Sequence, residues 1–330
     1  MCNCSFGPFR KTMAQAEEWT DWTAVAERGR GSLFLVEFAP KPEMLTQLRN
    51  LADRVMTVRR TADRVKAVRR GFSCTGFAHF AGPMGPFIMT TAHGFQHLYR
   101  ARSDPLTADT FNMYTVRVVC DHQEEQYQAA GVLEDNRKYA PARLVGIDCS
   151  KDILLLAVQS QDLKNLTEDS VCDRPHPALT FAQAEAARPR AGRRCMMLSW
   201  PAHRPRTLTT GWTSCFRAVN LFSAPNLAQY DMTLLEVDML CADESSGAPL
   251  FDTDGRVIGM LHGGNKETHS YFIPAEYLPA RVVRQVRQPN DRLQVQEAWE
   301  TSIAGRLKLP PVASDPSFPC VYIGHKTIVL

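Results

Sequence analysis

No run of about 18 apolar residues occurs in this 330-residue chain, so no membrane-spanning helix is expected. The first residues, MCNCSFGPFRKTMAQAEEW, lack the apolar core of a secretory signal. Cys2 rather than glycine follows Met1, which excludes N-myristoylation. Charge of one sign is scarce as well. The 38 Lys and Arg against 35 Asp and Glu leave +3, too little to call for a nucleic-acid partner. CxxC pairs are missing among the ten cysteines: Cys2, Cys4, Cys74, Cys120, Cys149, Cys172, Cys195, Cys215, Cys241 and Cys320. No zinc site is therefore expected, and no metal or organic cofactor. Cys120, Cys195 and Cys241 each fall in an apolar run that reads as a strand, so buried, reduced thiols are expected. With no secretory signal, the expected setting is intracellular, cytoplasmic or nuclear.

What is present is mostly β. Short strand-like runs include Phe87–Thr90, Thr115–Cys120, Leu154–Val158, Cys195–Leu198, Leu234–Val237, Pro249–Phe251 and Val257–Leu261. Turn signals such as Gly82-Pro83 and Asp252-Thr253-Asp254-Gly255 separate them, a pattern of all-β barrels or sandwiches. Pro274 then opens a predicted helix over 275–286. Residues 41–70 differ. Met44, Leu48, Leu51, Val55, Val58, Ala62 and Val65 recur at steps of four and three, the apolar seam of a coiled coil. From Arg49 to Arg70 the same segment carries eight basic and two acidic residues, a net +6. The seam needs an apolar partner, either the rest of this chain or a second copy. Self-association through 41–70 is the favoured expectation.

Three patches carry chemistry when taken together. Thr90-Thr91-Ala92-His93-Gly94 follows the apolar run Phe87-Ile88-Met89. Asp152 leads directly into Ile153-Leu154-Leu155-Leu156. Glu244-Ser245-Ser246-Gly247-Ala248-Pro249-Leu250 leads into a further strand. A serine hydroxyl is a weak nucleophile and needs a base to take its proton. Histidine supplies that base near neutrality. A carboxylate fixes its tautomer and stabilises the imidazolium. Backbone N–H groups must then receive the oxyanion, and a tight turn at Ser246-Gly247 presents them. The order His93, Asp152, Ser246, each beside a strand, is that of chymotrypsin-type enzymes.

Here the chain resembles the protease domain of the HtrA/Deg family of serine proteases. Gly76-Phe77 with Ile88-Met89-Thr90-Thr91-Ala92-His93 resembles the family's "GSGF…ILTNAHV". Tyr139 to Asp148 with Lys151 to Leu156 resembles "YPAKVVGSD…TDLAVLK". Glu244 to Leu250 and Gly255 to Gly259 resemble "GNSGGPL…GEVIGI", and Tyr271-Phe272-Ile273-Pro274 resembles "GFAIP". The resemblance implies two perpendicular six-stranded β-barrels with the triad in the cleft between them, 41–70 as a helical insertion, and a C-terminal helix. The implied domains are an N-terminal segment at 1–22, the protease domain at 23–288 and an extension at 289–330.

The implied activity is ATP-independent endopeptidase cleavage of protein or peptide substrates, with a role in protein quality control. The implied oxyanion donors are the N–H groups of Glu244 and Ser246, and the implied substrate-pocket residues are Leu240, Leu261 and His262. Aliphatic P1 side chains would suit such a pocket. Activity is expected to survive EDTA.

The chain also departs from the family. The residues after Gln288 are too few for a PDZ domain. Glu244 stands where the family keeps glycine, Ala248 replaces a second glycine, and Ser245 stands where trypsin-like zymogens carry aspartate. Glu244 predicts a resting enzyme with a collapsed oxyanion loop. It also leaves a second reading open, a catalytically impaired protease fold that serves as scaffold or peptide-binding module.

Overall fold

The structure is a computed structural model that describes residues 20–55, 71–133, 136–164, 172–183, 189–201, 204, 206–219, 226–265 and 268–278, together with the backbone of 320–322 and 327–329. The chain enters through helix α1 (Trp22–Arg30), whose N-cap Asp21 accepts from the N–H groups of Thr23 and Ala24. Seven strands follow: β1 (Leu33–Pro40), β2 (Phe72–Gly82), β3 (Gly85–Thr91), β4 (Tyr114–Cys120), β5 (Ala140–Pro141), β6 (Arg143–Asp148) and β7 (Ile153–Ala157). They form one sheet in the order β5-β4-β1-β2-β3-β7-β6. Six more strands close into a barrel in the order β10-β13-β12-β11-β8-β9. These are β8 (Arg194–Ser199), β9 (Thr207–Ala218), β10 (Thr233–Asp238), β11 (Pro249–Phe251), β12 (Val257–Gly264) and β13 (Ser270–Pro274).

The mostly-β, two-barrel architecture expected from the sequence is therefore present, with one difference. The second half closes with six strands, whereas the first is a curled seven-stranded sheet. Its edge strand β5 has only two residues, and Pro141 has no N–H with which to extend the ladder.

Two registers position the site. Strand β3 pairs antiparallel with β7, Thr91 opposite Ile153, so the residues just past one strand lie beside those just before the other. That brings Ala92-His93 next to Asp152. In the second barrel β11 pairs with β12, Pro249 opposite Met260, which sets His262 beside the turn that carries Ser246.

The predicted helix after Pro274 is a 3-10 turn at Ala275–Tyr277 within the described residues; 279–286 lie outside them. Cys120 and Cys195 are buried in strands as expected, but Cys241 lies in the loop after β10. The seven described cysteines are free thiols. No helix among the described residues is long and apolar enough to cross a membrane.

The insertion between β1 and β2 forms helix α2 (Leu45–Val55). Leu48, Ala52 and Val55 are buried, and Leu48 and Ala52 join the core of the first half. The guanidinium of Arg100 donates to the carbonyl of Val55 at 2.6 Å and closes the helix end. This part of the seam is thus covered by its own domain, because its apolar side chains reach a core already built from Phe34, Phe38 and Phe95. Met44 and Leu51 of the same seam are half-buried. Val58, Ala62 and Val65, on which self-association would then rest, lie outside the described residues. Leu48→Ala is expected to destabilise the fold by about 2–5 kcal/mol in urea unfolding, the cost of an unfilled core cavity. An unchanged midpoint would mean that α2 does not pack there.

Candidate active site

His93 opens a 3-10 turn, His93–Phe95, directly after β3. Phe95 anchors that turn in an aromatic cluster, with ring centroids 5.0 Å from Phe38, 4.9 Å from Phe72 and 4.9 Å from Tyr114. Asp152 precedes β7 in the left-handed region, φ +60°, a conformation Asp tolerates better than most residues. Ser246 occupies the turn before β11. Gly247 follows at φ +85°, and a Cβ there would stand 2.1 Å from the carbonyl oxygen of Thr75, so only glycine fits.

These three side chains form a continuous hydrogen-bonded chain. Ser246 Oγ lies 2.8 Å from His93 Nε2, and His93 Nδ1 lies 2.8 Å from Asp152 Oδ2. Asp152 is fully buried, and its Oδ1 accepts from the N–H of Ala92 at 2.8 Å. A carboxylate accepts only, so His93 donates from Nδ1 and turns its Nε2 lone pair towards the serine hydroxyl.

A second histidine shares the acid. His262 Nδ1 lies 2.5 Å from the same Oδ2 of Asp152. Its ring stands edge-on to Tyr230 at 5.1 Å, and the Tyr230 hydroxyl lies 3.0 Å from that of Tyr99. His262 was expected as a pocket wall; instead its side chain turns inward because the carboxylate offers it an acceptor. Leu261 is buried in the core of the second barrel with Leu250 and Phe272. Leu240 is exposed.

The expected oxyanion donors stand in the turn at 244–246. Glu244 has φ +70°, and its carboxylate accepts from the Ser73 hydroxyl at 2.6 Å. That tie fastens the loop to β2. The carbonyl of Ser246 accepts from the N–H of Thr75 at 2.8 Å, and the N–H of Gly247 donates to Leu261 at 2.9 Å. The N–H groups of Glu244 and Ser246 donate to no acceptor among the described residues. Ser73 and Thr75 were not singled out from the sequence, in which nothing local marks them as partners of the site, and His262 was expected in the pocket, not on Asp152.

Burial would push the Asp152 carboxyl up, but the two imidazoles and their N–H donors outweigh it and hold the group down at about 2. Burial would push His93 down; the charge of Asp152 and its hydrogen bond outweigh that and raise it above 6.5. A raised histidine contributes stability that is full below its unfolded pKa and is lost as pH rises through the folded one. The depressed carboxyl contributes stability above its ordinary 3.8, lost as pH falls through about 2.

Away from this chain, Cys120, His122, Cys172 and His176 also converge. Their ligand atoms all lie within 4.8 Å of one another, and no sign of this was legible in the sequence because the two halves of the set lie far apart in it and share no CxxC.

A histidine and an acid on one β-sheet unit facing a serine on a second define the class of two-barrel, trypsin-like folds. The sequence model of the trypsin-like peptidase domain family matches residues 74–260, more than half of the chain. The chain belongs to this family. Among solved structures, the active form of the Rv3671c protease from M. tuberculosis is 17% identical, with 86% of this chain and 97% of that one covered and a TM-score of 0.50. Deg5 is 15% identical, with 77% and 88% covered and a TM-score of 0.46. The HtrA-type protease AlgW with a tripeptide is 14% identical, with 86% and 64% covered and a TM-score of 0.47. No curated protein matches the chain.

The raised pKa of His93 is testable by NMR titration of the ring. It is expected above 6.5 in the parent and below 6.5 in Asp152→Asn, where only burial remains. A value still above 6.5 in the variant would remove the carboxylate as cause.

Proposed function

We propose that the chain is a serine endopeptidase that cleaves protein or peptide substrates without ATP. The observation that carries this is the chain of two 2.8 Å contacts from Ser246 through His93 to Asp152. In this reading Ser246 Oγ attacks the scissile carbonyl as His93 Nε2 takes its proton. The N–H groups of Glu244 and Ser246 receive the oxyanion. His93 then protonates the leaving amine, and water activated by the same nitrogen releases the acyl group. Asp152 keeps the tautomer fixed throughout. The neutral form of His93 is the base, so kcat/KM falls on the acid side through its raised pKa. A role in protein quality control belongs to this reading.

Ser246→Ala and His93→Ala are each expected to leave only the weak rate supplied by binding and the oxyanion hole, while circular dichroism stays unchanged. A fluorophosphonate probe should label the parent and not Ser246→Ala. Casein cleavage by Ser246→Ala equal to that of the parent would sink the assignment.

The impaired-scaffold reading draws on Glu244, where a side chain at positive φ costs about 1–2 kcal/mol relative to glycine. Its carboxylate also brings negative charge close to a developing oxyanion. Glu244→Gly is expected to raise kcat/KM on a small peptide ester. An unchanged or lower rate would mean that the Ser73 tie already holds the loop in working form.

A further inference from the structure

We propose that Cys120, His122, Cys172 and His176 form a structural zinc site that fastens the connector between the two halves to the first half. Cys120 ends β4, and His122 lies in the first turn of the helix that follows it, α3 being the short helix Ala108–Phe111 and this one α4 (Asp121–Ala129). Cys172 and His176 lie in the connector that leads to β8. The set reads C-x-H and C-x3-H, two pairs separated by the three strands β5, β6 and β7.

The geometry suits a tetrahedral ion. The four ligand atoms all lie within 4.8 Å of one another. Cys172 Sγ is 3.5 Å from His122 Nδ1 and 3.5 Å from His176 Nε2. Zn–S bonds of about 2.3 Å and Zn–N bonds of about 2.05 Å at tetrahedral angles give a sulfur-to-nitrogen edge of about 3.5 Å. His176 is also prepared as a ligand. Its Nδ1 lies 3.0 Å from the carbonyl of Gly31, which makes Nδ1 the donor and leaves the Nε2 lone pair facing the cluster. His122 and His176 stack with centroids 5.0 Å apart, and Phe34 packs on His176 at 5.0 Å. Both sulfurs are buried and both histidines are half-buried, so an ion can enter from the imidazole side.

Two thiolates and two neutral imidazoles select Zn²⁺ over harder cations. Binding releases the two thiol protons and leaves a site of no net charge. Four protein ligands leave no open position, so the role is structural. The consequence lies just downstream. The carbonyl of Pro177 accepts from Ser32 at 2.5 Å, Leu179 donates to Ala78 at 2.9 Å, and Phe181 bridges to Val257 of the second barrel. The ion would hold the connector immediately before it crosses to the half that carries Ser246. Chelation would then lower stability, which replaces the expectation of indifference to EDTA.

The test uses the full chain as Ser246→Ala, purified with zinc and reductant. Elemental analysis is expected to give about one zinc per chain, and cobalt exchange the visible bands of a tetrahedral sulfur–nitrogen site. Cys172→Ser and His176→Ala should each lose the metal and the bands, whereas Cys215→Ser keeps both. Chelation should lower Tm in Cys215→Ser but not in His176→Ala. If Cys172→Ser fails to fold, the half-buried His176→Ala decides. A zinc-free chain without cobalt bands, metal retained in His176→Ala, or a Cys120–Cys172 disulfide in the purified chain would each overturn the proposal.

Discussion

One buried negative charge organises this molecule. Asp152 has no solvent contact, and a carboxylate in that position is tolerated only with donors around it. Its donors come from three places: the N–H of Ala92, His93 at the end of β3, and His262 from the second barrel. Removing one partner of such a buried charge costs about 3–5 kcal/mol. Docking of the two halves therefore completes the set of donors around Asp152. A first half without the second would hold this carboxylate with one imidazole where the whole chain supplies two.

The serine is placed by a second, smaller set of polar contacts. Thr75 on β2 uses every group it has. Its N–H donates to Ser246, its hydroxyl oxygen accepts from Trp200, and its carbonyl accepts from the Thr90 hydroxyl. Gly247 must be glycine because the same carbonyl approaches so closely. Ser246 thus owes its position relative to His93 to a residue on the neighbour of His93's own strand. Glu244 repeats the device one step further out, through Ser73 on the same β2.

How much of this was legible in the sequence depended on distance along the chain. The strands, and the three residues beside them, are local signals: an apolar run, then His93; Asp152, then an apolar run. Antiparallel pairing of β3 with β7 converts that local pattern into a contact without further information. His262 gives no such signal. In Val257-Ile258-Gly259-Met260-Leu261-His262 it reads as the end of a strand, and only barrel closure brings it to Asp152. The cluster at Cys120 and Cys172 stayed hidden for the same reason, since each half is an ordinary pair until the connector folds back. The part of the seam in α2 was legible as a helix face, but periodicity does not say what covers the face; the core of the first half covers Leu48 and Ala52.

The two halves are not joined by polar contacts alone. One continuous apolar core runs from Phe34, Phe77 and Ile88 of the first sheet through Phe181 of the connector to Met196, Phe251 and Val257 of the second barrel. The interior of the second barrel, with Cys195, Leu250 and Phe272, is a separate cluster. A shared close-packed core resists small displacements, because packed interiors shift between discrete arrangements and do not deform smoothly. The spacing of Ser246 from His93 is then a property of the whole fold. The stretch from Leu240 to Glu244 lies at the margin of that core: Leu240 is exposed, Cys241 packs on the second-barrel cluster, and Glu244 is tied to β2 through Ser73. The buried end of the hydrogen-bonded chain, Asp152, is thus set in the packed interior, whereas Glu244 lies at its margin and reaches β2 only by the length of its side chain.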